Sequence, residues 1–321
     1  MSVLFHQNMR NFGGATPVRN AAYSVAFGAL TAQLGGLGVP NDIGVAGFTE
    51  VCNNNNATTA FNAAAAAGGL CAALGINFYA SVACGSTMLA NGPEYVAIGV
   101  AANYTVLRVG RICLSTSGQD VHLIHDSQAV AGGAAPAAGW CNTVPNGATR
   151  DYRGLVYVVV RLGAGGPVIA VGFLHNLYTL LAQRILVMGQ IPNMLATIRA
   201  AEAGTVAAYI GGDFNVTPQP AASPHRGTAR IGLAYQYTAG LAAAPGIPGP
   251  AATRAFTAGG TLWSGNLYDY WHSSISNAAP IVAPVGLVAP APQVFPGTLD
   301  AVAGTGGFQM SDHCGVFLDC V

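Results

Sequence analysis

The spacing of apolar residues predicts alternating strands and helices in the first quarter of the chain. Residues 2–9 have the pattern of a short strand, and 16–36 has apolar residues at helical spacing between a Thr-Pro start and a Gly-Gly stop. A buried strand over 42–51 ends in an acid and is followed by a polar, Asn-rich loop. An Ala-rich stretch predicts a helix over about 57–74.

Strand-like runs dominate the middle of the sequence. Several follow between residues 77 and 171, and a Gly/Ala/Pro-rich loop over 129–150 separates them into two groups. A long helix is predicted over about 179–203, and the strand that follows covers 206–213. Residues 216–262 are rich in Pro, Gly and Ala and predict an irregular insertion. Two further strands, "LYDYWHSSI" and "HCGVFLDCV", close the chain.

The order of these elements predicts the fold class. A βαβ unit comes first, then hairpins, and then a second βαβ unit with hairpins, which is a rough two-fold repetition. This order favours an α/β fold, a four-layer sandwich of two packed mixed β-sheets flanked by helices. Since no sharp linker interrupts the pattern, we expect residues 1–321 to form a single domain.

Charge is scarce in this chain. Charged residues make up 7% of the sequence and the formal net charge is zero, so no basic field indicates a nucleic-acid partner. All twelve basic residues are Arg, and there is no Lys. Codon bias in a GC-rich genome explains this usage, and so does selection against ubiquitin acceptors in a protein that enters the eukaryotic cytosol. Both explanations stay open.

The amino-terminal sequence "MSVLFHQNMRNF" lacks the charged and long apolar regions of a signal peptide. Apolar stretches elsewhere are rich in Ala and Gly and too short to span a membrane. We therefore expect a soluble protein without stable membrane insertion. Secretion or export by another route stays open.

Acidic residues stand at the ends of apolar strands. Glu50 ends "GVAGFTE", Asp213 ends "YIGGD", Asp269 lies in "LYDYW", and Asp312 stands beside His313. Any one such carboxylate is often a solvated strand end or a helix cap. The chain has only three Glu and nine Asp, so four acids in such positions favour one shared site at the edge of a sheet.

The order of the motifs that contain these residues resembles the endonuclease/exonuclease/phosphatase superfamily, which includes pancreatic-type deoxyribonuclease. The motifs are, in chain order, "FHQNMRNFGG", "GVAGFTEV", "AVGFLHN", "YIGGDFNVTP", "LYDYWHSS" and "SDHCGVF". Gly-Asp-Phe-Asn and Ser-Asp-His are the most specific of them. The resemblance spans nearly all of the chain, with little recognisable in 52–90 and 219–260, and it implies the two-sheet sandwich already predicted.

The resemblance also implies catalytic roles. It pairs Glu94 with His175, which would face the scissile phosphate, and Asp269 with His313, which would be the general base. Asp213 stays a rival base, because branches of the superfamily differ in which group activates water. Histidine suits proton transfer because its ordinary pKa is close to neutrality.

A divalent-metal site is implied by the same resemblance. Its ligands would be one amide and three carboxylates, Asn8, Glu50, Asp213 and Asp312. Oxygen ligands suit Mg²⁺, with Mn²⁺ as a substitute and Ca²⁺ as an alternative second ion. The side chains expected to contact substrate are Arg10, Arg153 and Asn215, and the position of Arg153 is shared with the cytolethal distending toxin nuclease subunit.

These implications favour a divalent-metal-dependent phosphodiesterase, first of all an endonuclease that hydrolyses DNA with a His/Asp-activated water. The low charge keeps a phospholipid or phosphoinositide phosphoesterase of the sphingomyelinase type open as an alternative, since duplex DNA binding normally uses several Lys or Arg contacts to phosphate. A third hypothesis is a non-catalytic, structural member of the fold. The expected partner is DNA or another phosphodiester, and toxin partner subunits are a further possibility.

Overall fold

The apolar strands of this chain are buried on both faces, which explains why their sequences are almost continuously apolar. All seven residues of the fourth strand, Glu94–Val100, are buried, as are seven of the eight residues of the eighth, Val168–His175. The computed structural model describes residues 2–13, 17–36, 42–52, 55–85, 93–117, 120–148, 152–177, 181–202, 204–216, 235–237, 257–258, 261–262, 269–274, 293–295 and 315–320.

Helices and strands alternate in the first half and strands prevail later. The helices are α1 (Pro17–Gly36), α2 (Asn55–Asn62), α3 (Leu70–Ala73), α4 (Ala138–Cys141) and α5 (Leu181–Ala201). The first nine strands are β1 (Ser2–Phe12), β2 (Ile43–Cys52), β3 (Asn77–Ala83), β4 (Glu94–Val100), β5 (Tyr104–Ser117), β6 (Asp120–Ala129), β7 (Leu155–Leu162), β8 (Val168–His175) and β9 (Thr205–Asp213). The later strands are β10 (Tyr235–Tyr237), β11 (Thr257–Ala258), β12 (Thr261–Leu262), β13 (Asp269–Ser273), β14 (Gln293–Phe295) and β15 (Gly315–Cys320).

Two mixed sheets contain most of these strands. The first has the order β14-β15-β1-β2-β4-β3, and the second has the order β10-β13-β9-β8-β7-β5-β6. In each sheet of the described structure one pair is parallel, β1 with β2 and β8 with β9, and the other pairs are antiparallel. Helix α1 connects the first parallel pair and α5 the second, which accounts for the two-fold repetition in the sequence.

Three apolar layers stabilise the sandwich. Phe173 and Trp271 belong to the layer between the two sheets. Phe27 and Phe48 belong to the layer between the first sheet and helices α1 to α3, and Ile191 to the layer between the second sheet and α5. The predicted four-layer sandwich of two mixed sheets flanked by helices is therefore confirmed.

The two sheets approach each other closely where β2 faces β8. A Cβ atom on Gly47 would lie 2.1 Å from the ring of Phe173, so only glycine fits at this position beneath the aromatic ring. Glu50 follows three residues after Gly47, and His175 follows two residues after Phe173. The contact therefore brings the ends of two strands from different sheets together.

The Ala-rich stretch after the second strand differs from the prediction of one helix over 57–74. It forms α2, a short 3₁₀ turn and α3, and it begins earlier, at Asn55, inside the predicted Asn-rich loop. Gly68 has a φ of 83°, and a Cβ on Gly69 would lie 1.7 Å from the carbonyl oxygen of Ala63. The glycine pair thus turns the chain between the two helices, which Ala propensity alone does not show.

The carboxyl-terminal third is described only in part. The two strands that the sequence places at its end lie in different sheets, β13 in the second and β15 in the first. Most of the irregular insertion predicted for 216–262 lies outside the described residues, and the single domain of 1–321 stays a prediction. Within the described part, no helix has both the length and the apolar character that a membrane crossing requires.

Candidate active site

The ends of strands from both sheets meet at one edge of the sandwich. Asn8 lies in β1 and Glu50 near the end of the parallel strand β2. His175 ends β8 and Asp213 ends β9, and the two are register partners in the second sheet. Asp269 begins β13 and is the antiparallel partner of Asp213. Polar residues from five strands are therefore brought to this edge.

Three potential metal-binding side chains form the centre of this cluster. One ligand atom from each of Glu50, His175 and Asp213 lies within 4.8 Å of the others. Nε2 of His175 is 3.3 Å from Oε1 of Glu50 and 3.6 Å from Oδ2 of Asp213. The amide nitrogen of Asn8 donates to both carboxylates at 3.0 Å, so it bridges them.

A buried carboxylate fixes the orientation of the histidine. Oε1 of Glu94 is 2.6 Å from Nδ1 of His175, and the same oxygen accepts a hydrogen bond from the backbone N–H of Glu50. Nε of Arg153 lies 3.1 Å from the other carboxylate oxygen. Burial raises the pKa of Glu94, and the charge of Arg153 and the Glu50 N–H oppose that increase. The Glu94 contact leaves Nε2 of His175 facing Glu50 and Asp213.

The segment after β9 holds Asp213 in place. The backbone N–H of Asn215 donates to Oδ1 of Asp213 at 2.9 Å, and its side-chain amide donates to Oδ2 at 3.2 Å. That amide also donates to the carbonyl of Asn176, which accepts a second hydrogen bond from Arg153. Arg184 of α5 donates to the carbonyl of Asn215. Asp213 is therefore oriented by a network that involves β8, β9 and α5.

Backbone strain is concentrated at the same edge. Within the described ranges, the non-glycine residues with positive φ are Arg10 at 47°, Asn11 at 52°, Glu50 at 56° and Asn215 at 50°. Asn tolerates this conformation, but Arg and Glu adopt it at a cost, which functional sites often bear. The β1–β2 register also shifts between Asn8 and Phe12, as expected of a bulge that redirects side chains.

Solved structures with the same architecture are numerous. A Bacteroides thetaiotaomicron mannosyl-6-phosphatase aligns over 100% of both chains with 13% identity and a TM-score of 0.56. D. rerio TDP2, in complex with a single-stranded DNA product, has 13% identity and a TM-score of 0.55 over 99% of this chain and 97% of its own. An endonuclease/exonuclease/phosphatase family protein from B. thetaiotaomicron has 15% identity and a TM-score of 0.53 over 99% and 96%.

This chain has the endonuclease/exonuclease/phosphatase fold. The resemblance inferred from the sequence motifs is thereby confirmed at the level of the fold. No protein-family model matches the sequence, and neither does any curated protein. The structural similarity establishes the endonuclease/exonuclease/phosphatase architecture, and identities of only 13–15% leave the substrate to be argued from the residues of the site.

The charge balance of the site on this fold suits a divalent cation. Glu50, Glu94, Asp213 and Asp269 lie on strands that meet at this edge, and all but Glu50 are buried. Arg153 pairs with Glu94 and offsets one of these negative charges. Carboxylate oxygens with an excess of negative charge are the donors that Mg²⁺ or Mn²⁺ prefers, whereas imidazole suits other divalent metals better. The residues present therefore fit a divalent ion held by Glu50 and Asp213.

The sequence-predicted substrate contacts have different environments. Arg153 is buried, and its guanidinium contacts Glu94 and the Asn176 carbonyl. Arg10 is half-buried, and its backbone N–H donates to Oδ1 of Asn8. Asn215 is buried against Asp213. Contact of these three side chains with substrate stays a prediction.

The second histidine pair is described only through Asp269. Asp312 and His313 lie outside the described residues, so their predicted metal-binding and catalytic roles stay predictions. Asp269 is fully buried, and its Oδ1 lies 3.9 Å from Nδ1 of His6. Nε2 of His6 lies 3.1 Å from the hydroxyl of Thr49. His6 is thus a strand residue beside the site, as its position in β1 indicates.

Sequence reasoning missed three residues that support the site. Asn176 binds the carbonyls of Phe214 and Arg184 through its amide and caps Leu177 N–H with its oxygen. The signal for Asn176 was its position, a polar residue next to a histidine at the end of an apolar strand. Arg19 and Arg184 gave no comparable signal, because each lies in a helix that follows a site motif and is outside the motif itself.

Proposed function

We propose that this chain is a divalent-metal-dependent phosphodiesterase and that its substrate is DNA, which it cleaves as an endonuclease. The observation that carries the proposal is the buried Glu94–His175 pair, which directs Nε2 of the imidazole toward two carboxylates able to hold a metal ion. An isolated surface histidine would have neither the buried carboxylate nor the fixed orientation. This arrangement matches the chemical needs of phosphodiester hydrolysis.

Hydrolysis requires a water to attack phosphorus, a base to take its proton and an acid or an ion to stabilise the departing alkoxide. A divalent ion at Glu50 and Asp213 would polarise a phosphoryl oxygen and offset the negative charge of the phosphate. His175, whose Nδ1 is held by Glu94, would donate through Nε2 either a hydrogen bond to the phosphate or a proton to the leaving oxygen. The proposed base is His313, and its partner is Asp269.

The hydrogen bonds that Asp213 accepts favour a metal-ligand or electrostatic role for this residue over the role of general base. Both of its oxygens accept hydrogen bonds, from Asn215 and from Asn8. These donors occupy and orient both carboxylate oxygens, which suits a ligand or an electrostatic element more than a group that must take a proton from water. The neutral amides bring donors to this anionic region without adding charge.

Two observations favour DNA as the substrate. The motif "FHQNMRNFGG" near the start of the chain resembles that of the deoxyribonucleases, and the chain is similar in structure to D. rerio TDP2, which was solved with a single-stranded DNA product. A phospholipid or phosphoinositide substrate is the second candidate. One observation favours it over duplex DNA, whose binding normally uses several Lys or Arg contacts to phosphate. Several of the twelve arginines instead bind groups of the protein itself. These internally bound arginines are Arg19, Arg108, Arg111, Arg153 and Arg184.

One substrate panel separates these functions. Supercoiled plasmid, sphingomyelin vesicles and phosphoinositide vesicles would each be incubated with the purified chain and Mg²⁺, Mn²⁺ or Ca²⁺. We expect plasmid nicking in Mg²⁺ that is lost in Asp213→Asn and retained in Asp42→Asn, whose exposed carboxylate precedes β2 at the other end of the strand. Cleavage of lipid alone would favour the second candidate. Hydrolysis of none of the substrates would contradict the phosphodiesterase proposal and favour a structural role.

A further inference from the structure

A strained bulge in β1 contacts the metal-ligand candidate Glu50. In the β1–β2 register Asn8 pairs with Thr49 and Phe12 with Val51, so three residues of β1 lie opposite the single residue Glu50. Two of those three, Arg10 and Asn11, have positive φ. A bulge of this kind has unpaired peptide groups and relaxes unless other groups hold it.

The side chain of Arg19 binds the outer side of this bulge. Nη2 donates to the carbonyl oxygens of Met9 and Arg10 at 2.5 Å each, and Nη1 lies 3.4 Å from the carbonyl of Asn11. The guanidinium also lies over two aromatic rings, 5.5 Å from the centroid of the Phe12 ring and 5.8 Å from the centroid of the Tyr23 ring. One cation on α1 thus contacts three consecutive carbonyls of the bulge.

The opposite edges of the same peptide groups face the site. The N–H of Arg10 donates to Oδ1 of Asn8 at 2.8 Å, and the N–H of Asn11 donates to Oε2 of Glu50 at 3.0 Å. Because a peptide group is planar, fixing its carbonyl direction also fixes its N–H direction. The contacts of Arg19 therefore determine where the donors to Asn8 and Glu50 point.

We propose that Arg19 is a positioning residue for the divalent-metal site, acting through the bulge on Glu50 and Asn8; this inference rests on the proposed function. Its guanidinium touches backbone carbonyls, and its effect on catalysis comes through the ligand geometry. Loss of the guanidinium lets the bulge relax and removes the oriented donor to Glu50. The metal-binding side chain then has more conformations to lose when an ion binds, so metal affinity falls.

The test measures metal binding and turnover separately. Mn²⁺ binding to the full chain would be followed by isothermal titration calorimetry, and hydrolysis would be followed over a range of Mn²⁺ concentrations, for wild type, Arg19→Met and Arg19→Lys. We expect the Kd for Mn²⁺ to rise about 10-fold or more in Arg19→Met, as for residues that orient metal ligands. The kcat at saturating Mn²⁺ is expected to change much less than the Kd. Arg19→Lys, which keeps a charged donor, should recover part of the affinity.

A second helix arginine supplies the matched control. Arg199 of α5 donates to the carbonyl of Ser274 at 3.5 Å, away from the bulge. Arg199→Met should leave the Kd and kcat at their wild-type values, and an equal loss of affinity in Arg199→Met would overturn the positioning role. Unchanged Mn²⁺ affinity in folded Arg19→Met would also overturn it. If Arg19→Met does not fold, Arg19→Lys replaces it in the test. Wild-type Mn²⁺ affinity and wild-type kcat in Arg19→Lys would then overturn the positioning role. A wild-type chain that neither binds Mn²⁺ nor hydrolyses any substrate would remove the proposed function, and this inference with it.

Discussion

Oε1 of Glu94 lies 2.6 Å from Nδ1 of His175, and both side chains are at least 98% buried. The two residues come from different sheets, β4 and β8, and are 81 positions apart in the sequence. The contact therefore exists only because the sheets pack face to face. It is the relationship on which the proposed chemistry depends most directly.

The first prediction concerns this pair. Glu94→Gln keeps the side-chain shape but removes the negative charge beside His175 and leaves the buried Arg153 without its ion-pair partner. We expect kcat for a phosphodiester to fall by about 100-fold, as when a residue that orients a ligand or catalytic histidine is replaced. Steady-state hydrolysis of bis(p-nitrophenyl) phosphate in Mg²⁺ measures it.

A carboxylate outside the site provides the control for that variant. Glu202 is buried and pairs with Arg108 at 2.7 Å. Glu202→Gln should lower thermal stability while leaving kcat unchanged, because its partner faces neither His175 nor Glu50. If Glu94→Gln retained wild-type kcat, the proposed role of the pair would be wrong.

The second prediction concerns metal binding and stability. An ion that binds only the folded chain at about 100 times its Kd adds ~2.7 kcal/mol to the free energy of unfolding. We expect Mn²⁺ to raise the melting temperature of wild type and of Asp42→Asn, and to raise that of Glu50→Gln much less. Differential scanning fluorimetry with and without chelator measures the shift. An equal Mn²⁺ shift in Glu50→Gln would exclude Glu50 as a ligand.

The third prediction concerns the contact between the sheets. A Cβ on Gly47 would lie 2.1 Å from the Phe173 ring, so Gly47→Ala should destabilise the fold by about 1–3 kcal/mol through overpacking. Urea unfolding measures the change. In a Phe173→Ala background, which lacks the Cγ and Cδ atoms that the added Cβ would meet, Gly47→Ala should cost much less.

Another glycine serves as the control for this substitution. Gly28 lies in α1, where an added Cβ would have no other atom within 4 Å, and alanine favours a helix by roughly 0.5–1 kcal/mol over glycine. Gly28→Ala should therefore be neutral or slightly stabilising. Equal stability of Gly47→Ala and wild type would show that Phe173 can move without cost.

The fourth prediction concerns acid stability. Nε2 of His125 lies 2.6 Å from the hydroxyl of Tyr157, which donates to Glu202. Burial is the largest influence and lowers the pKa of His125, while Glu202 and Asp126 act to raise it. The folded chain therefore prefers neutral imidazole. The stability from this group is present above the ordinary pKa of 6.5 and is lost as pH falls through the lower folded value.

Urea unfolding at about pH 7.5 and about pH 5.5 tests this linkage, since histidine titrates in that interval. The free energy of unfolding should fall less in His125→Gln than in wild type. His122→Gln, on the exposed side of the same strand, should keep the wild-type slope. The interpretation is wrong if His125→Gln and wild type lose the same stability between the two pH values.

Local patterns were sufficient for much of the fold. The strand that ends in Asp213 and the helix after Pro17 were predictable, because apolar periodicity and capping residues act over a few neighbours. The break at Gly68 was not, since a run of Ala favours helix whatever follows it. Likewise, nothing local indicates that β13 and β15 belong to different sheets.

The sequence by itself determined that Glu50, His175 and Asp213 stand at or near the ends of strands, because each is a polar residue after an apolar run. The tertiary structure alone decided how they meet. Asn8 and Asp213 are 205 positions apart and 3.0 Å apart in space, and Arg19 contacts a bulge whose shape depends on the register with β2. Such contacts arise from the packing of whole sheets and helices. The pattern of residues within a short stretch of sequence does not predict them.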